Sequence, residues 1–205
     1  MSADWLPLFP LQVVLLPGMS LPLHIFEPRY RLMIRTCIDR KEEFGVVLAQ
    51  GKGIAETGCS AQIVRITREF SDGRLNILTM GRRRFRIGRV SEELPYLQGE
   101  VEFLPEAEPE VTLPAEPAEL MRLWAEAYRL ATGEQRVPER TPEFTALSYF
   151  IAATLPLDLE TRQAILQAES ESARLGVLED RLREWLPRLR GVTHLKEKAA
   201  GNGHG

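Results

Sequence analysis

The spacing of apolar residues changes near Pro105. Before it, short apolar runs and period-two alternation predict strands; after it, apolar residues recur at three and four, which predicts helices. Leu8-Phe9-Pro10-Leu11 and Val13-Val14-Leu15-Leu16 lead to the turn pair Pro17-Gly18, and Leu21 to Phe26 resumes as a second strand. Prolines at 7, 10, 17 and 22 remove backbone donors, so these strands are expected to be short, at edges or bulged. Glu27-Pro28 starts the one helix of this half, with Glu27 at the cap and Pro28 at the first helical position, where its missing N–H costs nothing. Tyr30, Met33, Ile34, Cys37 and Ile38 then form a stripe on one helical face, with most of the arginines of this stretch off it. Phe44 to Ala49 has the continuous apolar character of a buried strand. Ile63 to Phe70 and Leu75 to Met80 flank Asp72-Gly73, which predicts a hairpin with a type I′ turn. Phe85, Ile87 and Val90 continue in alternation, and Leu97 to Leu104 supplies one more strand.

The second half predicts four amphipathic helices. Leu120, Leu123, Trp124, Ala127, Tyr128 and Ala131 form a stripe that ends at Gly133. Thr141-Pro142 reads as a cap and first-turn proline before Phe144, Leu147, Ser148, Ile151, Ala152 and Leu155, and Pro156 stops that helix. Asp158 can cap a third helix reaching Ala168; Ser170 or Ser172 can cap a fourth, with stripe Leu175, Leu178, Leu182, Trp185 and Leu186. The expected organisation is α+β: a twisted, partly closed β-rich lobe with one helix over 1–104, an acidic, proline-punctuated connector over 105–117, a four-helix lobe over 118–192, and a disordered tail over 193–205.

Composition narrows the class. With 44% hydrophobic and 27% charged residues among 205, the chain is an ordinary folded protein, not a disordered one. A formal charge of −3 provides no global attraction to nucleic acid or anionic membranes. The N-terminus lacks a signal-peptide pattern, and no run approaches the ~20 apolar residues that span a bilayer. A cytoplasmic location without membrane contact is therefore expected, and Cys37 and Cys59 are expected to be buried thiols, not a disulfide.

Catalytic templates find little support. Of the three histidines, His24 alternates with apolar neighbours in a strand and the other two lie in the expected tail. Neither histidines nor cysteines have metal-ligand spacing, so no metal or cofactor is expected. Gly45 to Gly53 superficially resembles a phosphate loop, but Gly45 and Gly51 are one residue too far apart, and Gly53 stands where Ser or Thr would bind magnesium. A hairpin or surface loop is expected there instead. No Gly-x-Ser-x-Gly elbow occurs, and Ser148 lies on an apolar helical stripe. The salient charged feature is Arg82-Arg83-Arg84-Phe85-Arg86-Ile87-Gly88-Arg89. As a strand it would place Arg84 and Arg86 on a basic outer face and Phe85 and Ile87 on an apolar inner one. That face suits phosphate or acidic peptide, or is simply a solvated edge whose charges discourage aggregation.

The stretch from Leu6-Pro7-Leu8-Phe9-Pro10-Leu11 through Pro17-Gly18 to Leu21-Pro22-Leu23-His24-Ile25-Phe26-Glu27-Pro28-Arg29-Tyr30-Arg31-Leu32-Met33 resembles the opening of the Lon protease N-terminal, substrate-binding domain family. Phe44 to Leu48, Gly58, Ala61, Ile63, Asp72-Gly73-Arg74, Gly81 and Arg84-Phe85 are similar to its later blocks, and Leu147 to Ala152 with Leu155-Pro156-Leu157 to its helical part. The resemblance runs in order from residue 5 to residue 190. It implies a PUA-like β-rich lobe followed by helices, and a role in recruiting unfolded or tagged polypeptide. An ATPase and a serine–lysine peptidase follow this region in full-length Lon proteases; the chain is expected to end before either, and so to act without catalysis. Polypeptide clients or a partner protein are the expected partners, with RNA bound through the Arg82–Arg89 strand as the alternative and a hydrolase of unfamiliar type a third option. The candidate contact residues are Phe26, Tyr30, Phe70, Arg82, Arg83, Arg84, Phe85 and Arg86, with core packing favoured for the aromatics.

Overall fold

In the computed structural model, residues 4–106 and 117–201 are described, with side chains over 5–106 and 117–191. The chain divides into two compact units, Met1–Glu106 with Pro142–Thr145, and Ala107–Thr141 with Ala146–Gly205. Most of the expected connector, 107–116, lies outside the described residues.

The first unit contains β1 (Asp4–Leu11), β2 (Ser20–Ile25), α1 (Pro28–Arg40), β3 (Phe44–Gln50), β4 (Gly53–Ile54), β5 (Thr57–Glu69), β6 (Leu75–Ser91) and β7 (Gln98–Phe103). The strands run β1-β7-β6-β5-β3-β4, and a parallel β1–β3 pairing closes a ring that bulges interrupt. Leu6, Leu8, Val47, Phe85 and Val101 fill the ring. The apolar run Val14-Leu15-Leu16 is buried but forms a loop, not the strand its sequence suggests. That loop docks on β6, with backbone hydrogen bonds Gly18 N–H to Gly81 O and Gly81 N–H to Met19 O, both 2.9 Å. Its fit explains Gly81: an added Cβ would lie 2.2 Å from the Leu16 carbonyl oxygen.

β6 serves two parts of the one sheet. Residues 75–80 sit between β2 and the outer half of β5, forming a three-stranded arm, whereas Phe85 to Ser91 pair with β7. The hairpin at the end of the arm is present, but its turn is not type I′: only Gly73 has positive φ, +85°. Gly73 N–H donates to Phe70 O and Phe70 N–H to Arg74 O, the pattern of a three-residue loop with glycine in the left-handed position. Helix α1 buries Tyr30, Met33, Ile34 and Cys37, and Pro28 occupies its first turn.

The second unit contains α2 (Ala118–Thr132), α3 (Leu147–Thr154), α4 (Leu159–Gln167) and α5 (Glu171–Gly201). Helix α2 ends at Gly133 with φ +78°, and the Asp158 carboxylate caps α4 by accepting from Thr161 N–H at 2.7 Å. Ser170, not Ser172, caps α5, accepting from Ala173 N–H at 3.1 Å. Helix α3 does not start at Thr141-Pro142. Pro142–Thr145 belong to the first unit, where Phe144 lies against Gly18, so the helix begins at Leu147. On α5, Leu178, Leu182 and Leu186 are buried while Leu175 and Trp185 are half-buried. The backbone remains helical to Gly201, past the Thr193 boundary expected from the sequence.

A buried polar network joins α3 to α5. Glu171 accepts from Ser148 N–H at 2.9 Å and from Ser148 Oγ–H at 2.6 Å, and Arg174 Nε donates to Ser148 Oγ at 3.1 Å and Glu171 Oε2 at 3.0 Å. Glu171 thereby supplies the N-terminal acceptor that Ala146, at the cap of α3, cannot.

Candidate functional site

The first unit carries a groove of about 770 Å³ between the end of β1, the β2–α1 junction, the β3–β4 turn and the loop from β6 to β7. Its floor comes from the buried core: Phe9 stacks on Tyr30 with ring centroids 4.1 Å apart, and Tyr96 is 7% exposed. Its rim is open and mixed, with Phe26 at 59%, Val90 at 47% and Leu94 at 41% exposure beside the exposed charges Lys52 and Glu92. Phe26 is held there because it precedes Pro28 by two residues: β2 has ended and α1 has not begun, so neither sheet nor helix packing covers it. Gly51 and Gly53 flank the β3–β4 turn as a hairpin, the arrangement favoured over a phosphate loop.

The outer face of the β2–β6–β5 arm continues from this rim. His24, opposite Asn76, bonds Asn76 Oδ1 through Nδ1 at 2.6 Å. Its ring stacks on Phe26 at 5.8 Å and meets Phe70 edge-on at 5.9 Å. The guanidiniums of Arg68 and Arg74 lie over the Phe70 ring at 4.5 and 4.9 Å. β5 pairs with β3 only through Cys59–Ala61, so among the described residues its outer half is an edge. Register shifts there leave Val64 and Thr67 as extra residues, the bulged geometry that blunts an edge against further pairing.

The predicted contact residues separate accordingly. Phe26 is exposed, which corrects its expected core packing, and Phe70 is half-buried. Tyr30 and Phe85 are core, 7% and 0% exposed, since one lies on the buried stripe of α1 and the other inside the strand ring. Arg84 corrects the expected basic outer face. It is buried, because Pro105 and Glu106 cover the face of β6 opposite Phe85, and its Nε donates to Glu106 Oε1 at 2.9 Å. Arg83 lies over the Phe103 ring at 3.6 Å and pairs with Glu43, and Arg89 pairs with Glu100. Arg82 and Arg86 remain exposed.

Sequence reasoning missed Arg65, Arg68 and Arg74. Arg65 and Arg68 are three apart, so simple alternation places them on opposite faces of β5. The bulge at Thr67 instead sets Arg65 opposite Leu78 and Arg68 opposite Asn76, on the same face. The Asp72 carboxyl is held below the usual range, first by Arg74 N–H and then by the Arg74 guanidinium, despite some desolvation.

The remaining reactive groups are quiet. Burial pushes the Cys37 thiol up to about 12 and raises Cys59 further, so both stay protonated near neutrality; both are free and buried. Among the described residues no group of three or more His, Cys, Asp and Glu could hold a metal ion, and no helix is long and apolar enough to cross a membrane.

A family model described as the ATP-dependent protease La (LON) substrate-binding domain matches residues 5–184. The Lon protease of Parabacteroides distasonis is 32% identical over 118 residues, 53% of this chain and 14% of that protein. Protein cereblon of Xenopus tropicalis is 34% identical over 112 residues, 51% of this chain and 25% of that protein. The chain thus spans a minor part of these relatives. A Lon N-terminal domain protein from Xanthomonas campestris, solved by crystallography, superposes with a TM-score of 0.67 at 27% identity, covering 90% of this chain and 99% of that one. The N-terminal domain of Lon protease from Mycobacterium avium complex shares the fold, with a TM-score of 0.59 at 21% identity and coverage of 88% and 98%.

Proposed function

Since the chain belongs to the LON substrate-binding domain family, we propose that it acts by binding, not by catalysis, and that it takes extended segments of unfolded polypeptide into the groove of its β-rich unit. The observation that carries this reading is the set of exposed apolar side chains, Phe26, Val90 and Leu94, on the open rim above an aromatic floor. A folded protein gains by burying such surface, and an unfolded client supplies the apolar side chains that its own native state would hide. The groove is open, which suits an extended segment better than a compact metabolite. Of its charged groups, Arg29 pairs with Glu27 at 2.9 Å and lies over the Tyr30 ring at 4.6 Å, while Lys52 and Glu92 stand exposed on the rim. Affinity would come chiefly from apolar contact at Phe26, Val90 and Leu94, which tolerates many sequences.

Fluorescence anisotropy with a labelled, permanently unfolded carboxymethylated protein tests the reading. Phe26→Asp changes an exposed side chain and leaves the core intact; burying Phe26 against a client is worth about 1.5–2 kcal/mol, so affinity is expected to fall at least tenfold. Equal affinity in Phe26→Asp and in Leu94→Asp would remove the groove from the account.

A further inference from the structure

The outer face of the β2–β6–β5 arm lies beside the groove and differs from it in chemistry. Glu69 projects to the other face, where it pairs with Arg35 of α1, and Asp72 is engaged by Arg74. Among the described residues Arg65 and Arg68 have no ion-pair partner, and both are exposed. Arg68 is not free to wander, because its guanidinium is held over Phe70. A guanidinium held by its flat face keeps the N–H donors on its rim for an anion, and loses less rotamer entropy on binding than a mobile one. Carboxylates match that rim in a bidentate manner.

His24 and Phe26 belong both to the groove lining and to the ring cluster, so the groove opens directly onto this face. Two successive ring contacts of 5.8 and 5.9 Å lead from Phe26 through His24 to Phe70. About four residues of extended chain cover that path.

We propose that Arg65 and Arg68 select acidic residues flanking the apolar anchor, so that the preferred client segment carries Asp or Glu within about four residues of the side chains seated in the groove. This rests on the groove reading above and narrows its substrate class. A peptide fits better than single-stranded nucleic acid. Bases need bare aromatic faces, whereas two guanidiniums already lie over Phe70 and Phe26 lies against His24.

The test is anisotropy on the full chain with labelled synthetic peptides that share one apolar-aromatic core and carry a short run of either Glu or Gln on each side. The Glu-flanked peptide is expected to bind about tenfold more tightly at low salt, and to lose that advantage near 0.5 M salt. In the double variant Arg65→Gln, Arg68→Gln it should bind like the Gln-flanked peptide. Equal affinity of the two peptides for the native chain overturns the inference and leaves the groove reading standing. An advantage that survives the double variant overturns the assignment to these arginines. Failure of both peptides to bind removes the groove reading and this inference together. A uridine oligonucleotide whose binding is weakened by the same variant, with no gain from Glu in the peptides, assigns the face to nucleic acid and overturns the proposal.

Discussion

Of Arg82, Arg83, Arg84, Arg86 and Arg89, neighbours in sequence along β6, three face a carboxylate and one, Arg84, is buried, whereas Arg65 and Arg68 of β5 and Arg74 of the adjoining turn lie on the arm, and among the described residues only Arg74 of these is ion-paired. In the first group Glu43, Glu106 and Glu100 face three of the five arginines, and Arg84 is only 1% exposed. In the second group the guanidiniums of Arg68 and Arg74 lie over the Phe70 ring, and one carboxylate, Asp72, is engaged. Contiguity along the chain therefore says little about which positive charges a partner meets. Register decides it, because one extra residue in a strand moves every later side chain to the other face.

The contrast predicts opposite energetic signatures. Arg84→Ala is expected to have the largest effect, on the order of 3 kcal/mol of stability by urea denaturation, because it strands a carboxylate whose partner was buried. Glu106 retains some exposure, 31%, which places the loss at the lower end for broken buried pairs. A loss under about 0.5 kcal/mol would put Arg84 with the surface arginines and erase the distinction. Gly81→Ala comes next. Gly81 lies between the two halves of β6, where the register against β5 shifts, and an added methyl meets the Leu16 backbone. The loss is expected to be about 2 kcal/mol, from overpacking against a backbone that cannot rotate away, with no recovery in Gly81→Ser.

The smallest effect lies in the exposed cluster and is a matter of pH. The Asp72 pKa is lowered in the folded state, so its contribution is fully present above the unfolded-state value, near 4, and is lost as pH falls through the folded value. Thermal melts of Asp72→Asn against the native chain should differ slightly near neutrality and converge in acid. A difference that persists at the acid end would mean that Asp72 acts through the turn geometry and not through its charge.

Much of the fold was legible because its signals are local. Pro28 at a helix start, Gly133 at a helix end, the Asp158 cap, the apolar stripes of α1 and α2 and the Asp72-Gly73 hairpin all follow from backbone sterics and side-chain periodicity within a few residues. The same signals failed where a distant segment intervened. Val14 to Leu16 have strand composition but are buried as a loop on Gly81, and Thr141-Pro142 looks like a helix start, but Pro142–Thr145 belong to the first unit, where Phe144 lies against Gly18.

By itself the amino-acid sequence determined the succession of strands and helices, the inward faces of most of them and the family to which they belong, since propensity and periodicity are properties of short windows. Tertiary structure alone decided which arginines are open and that Phe26 stands on the rim of a groove. Those outcomes depend on bulges, on the covering of Arg84 by Pro105 and Glu106, and on a junction between strand and helix. The bulges and the covering of Arg84 are meetings of residues far apart in the chain, of which pattern within a single segment carries no record; the junction at Phe26 is local, but that nothing packs over it is decided by the fold.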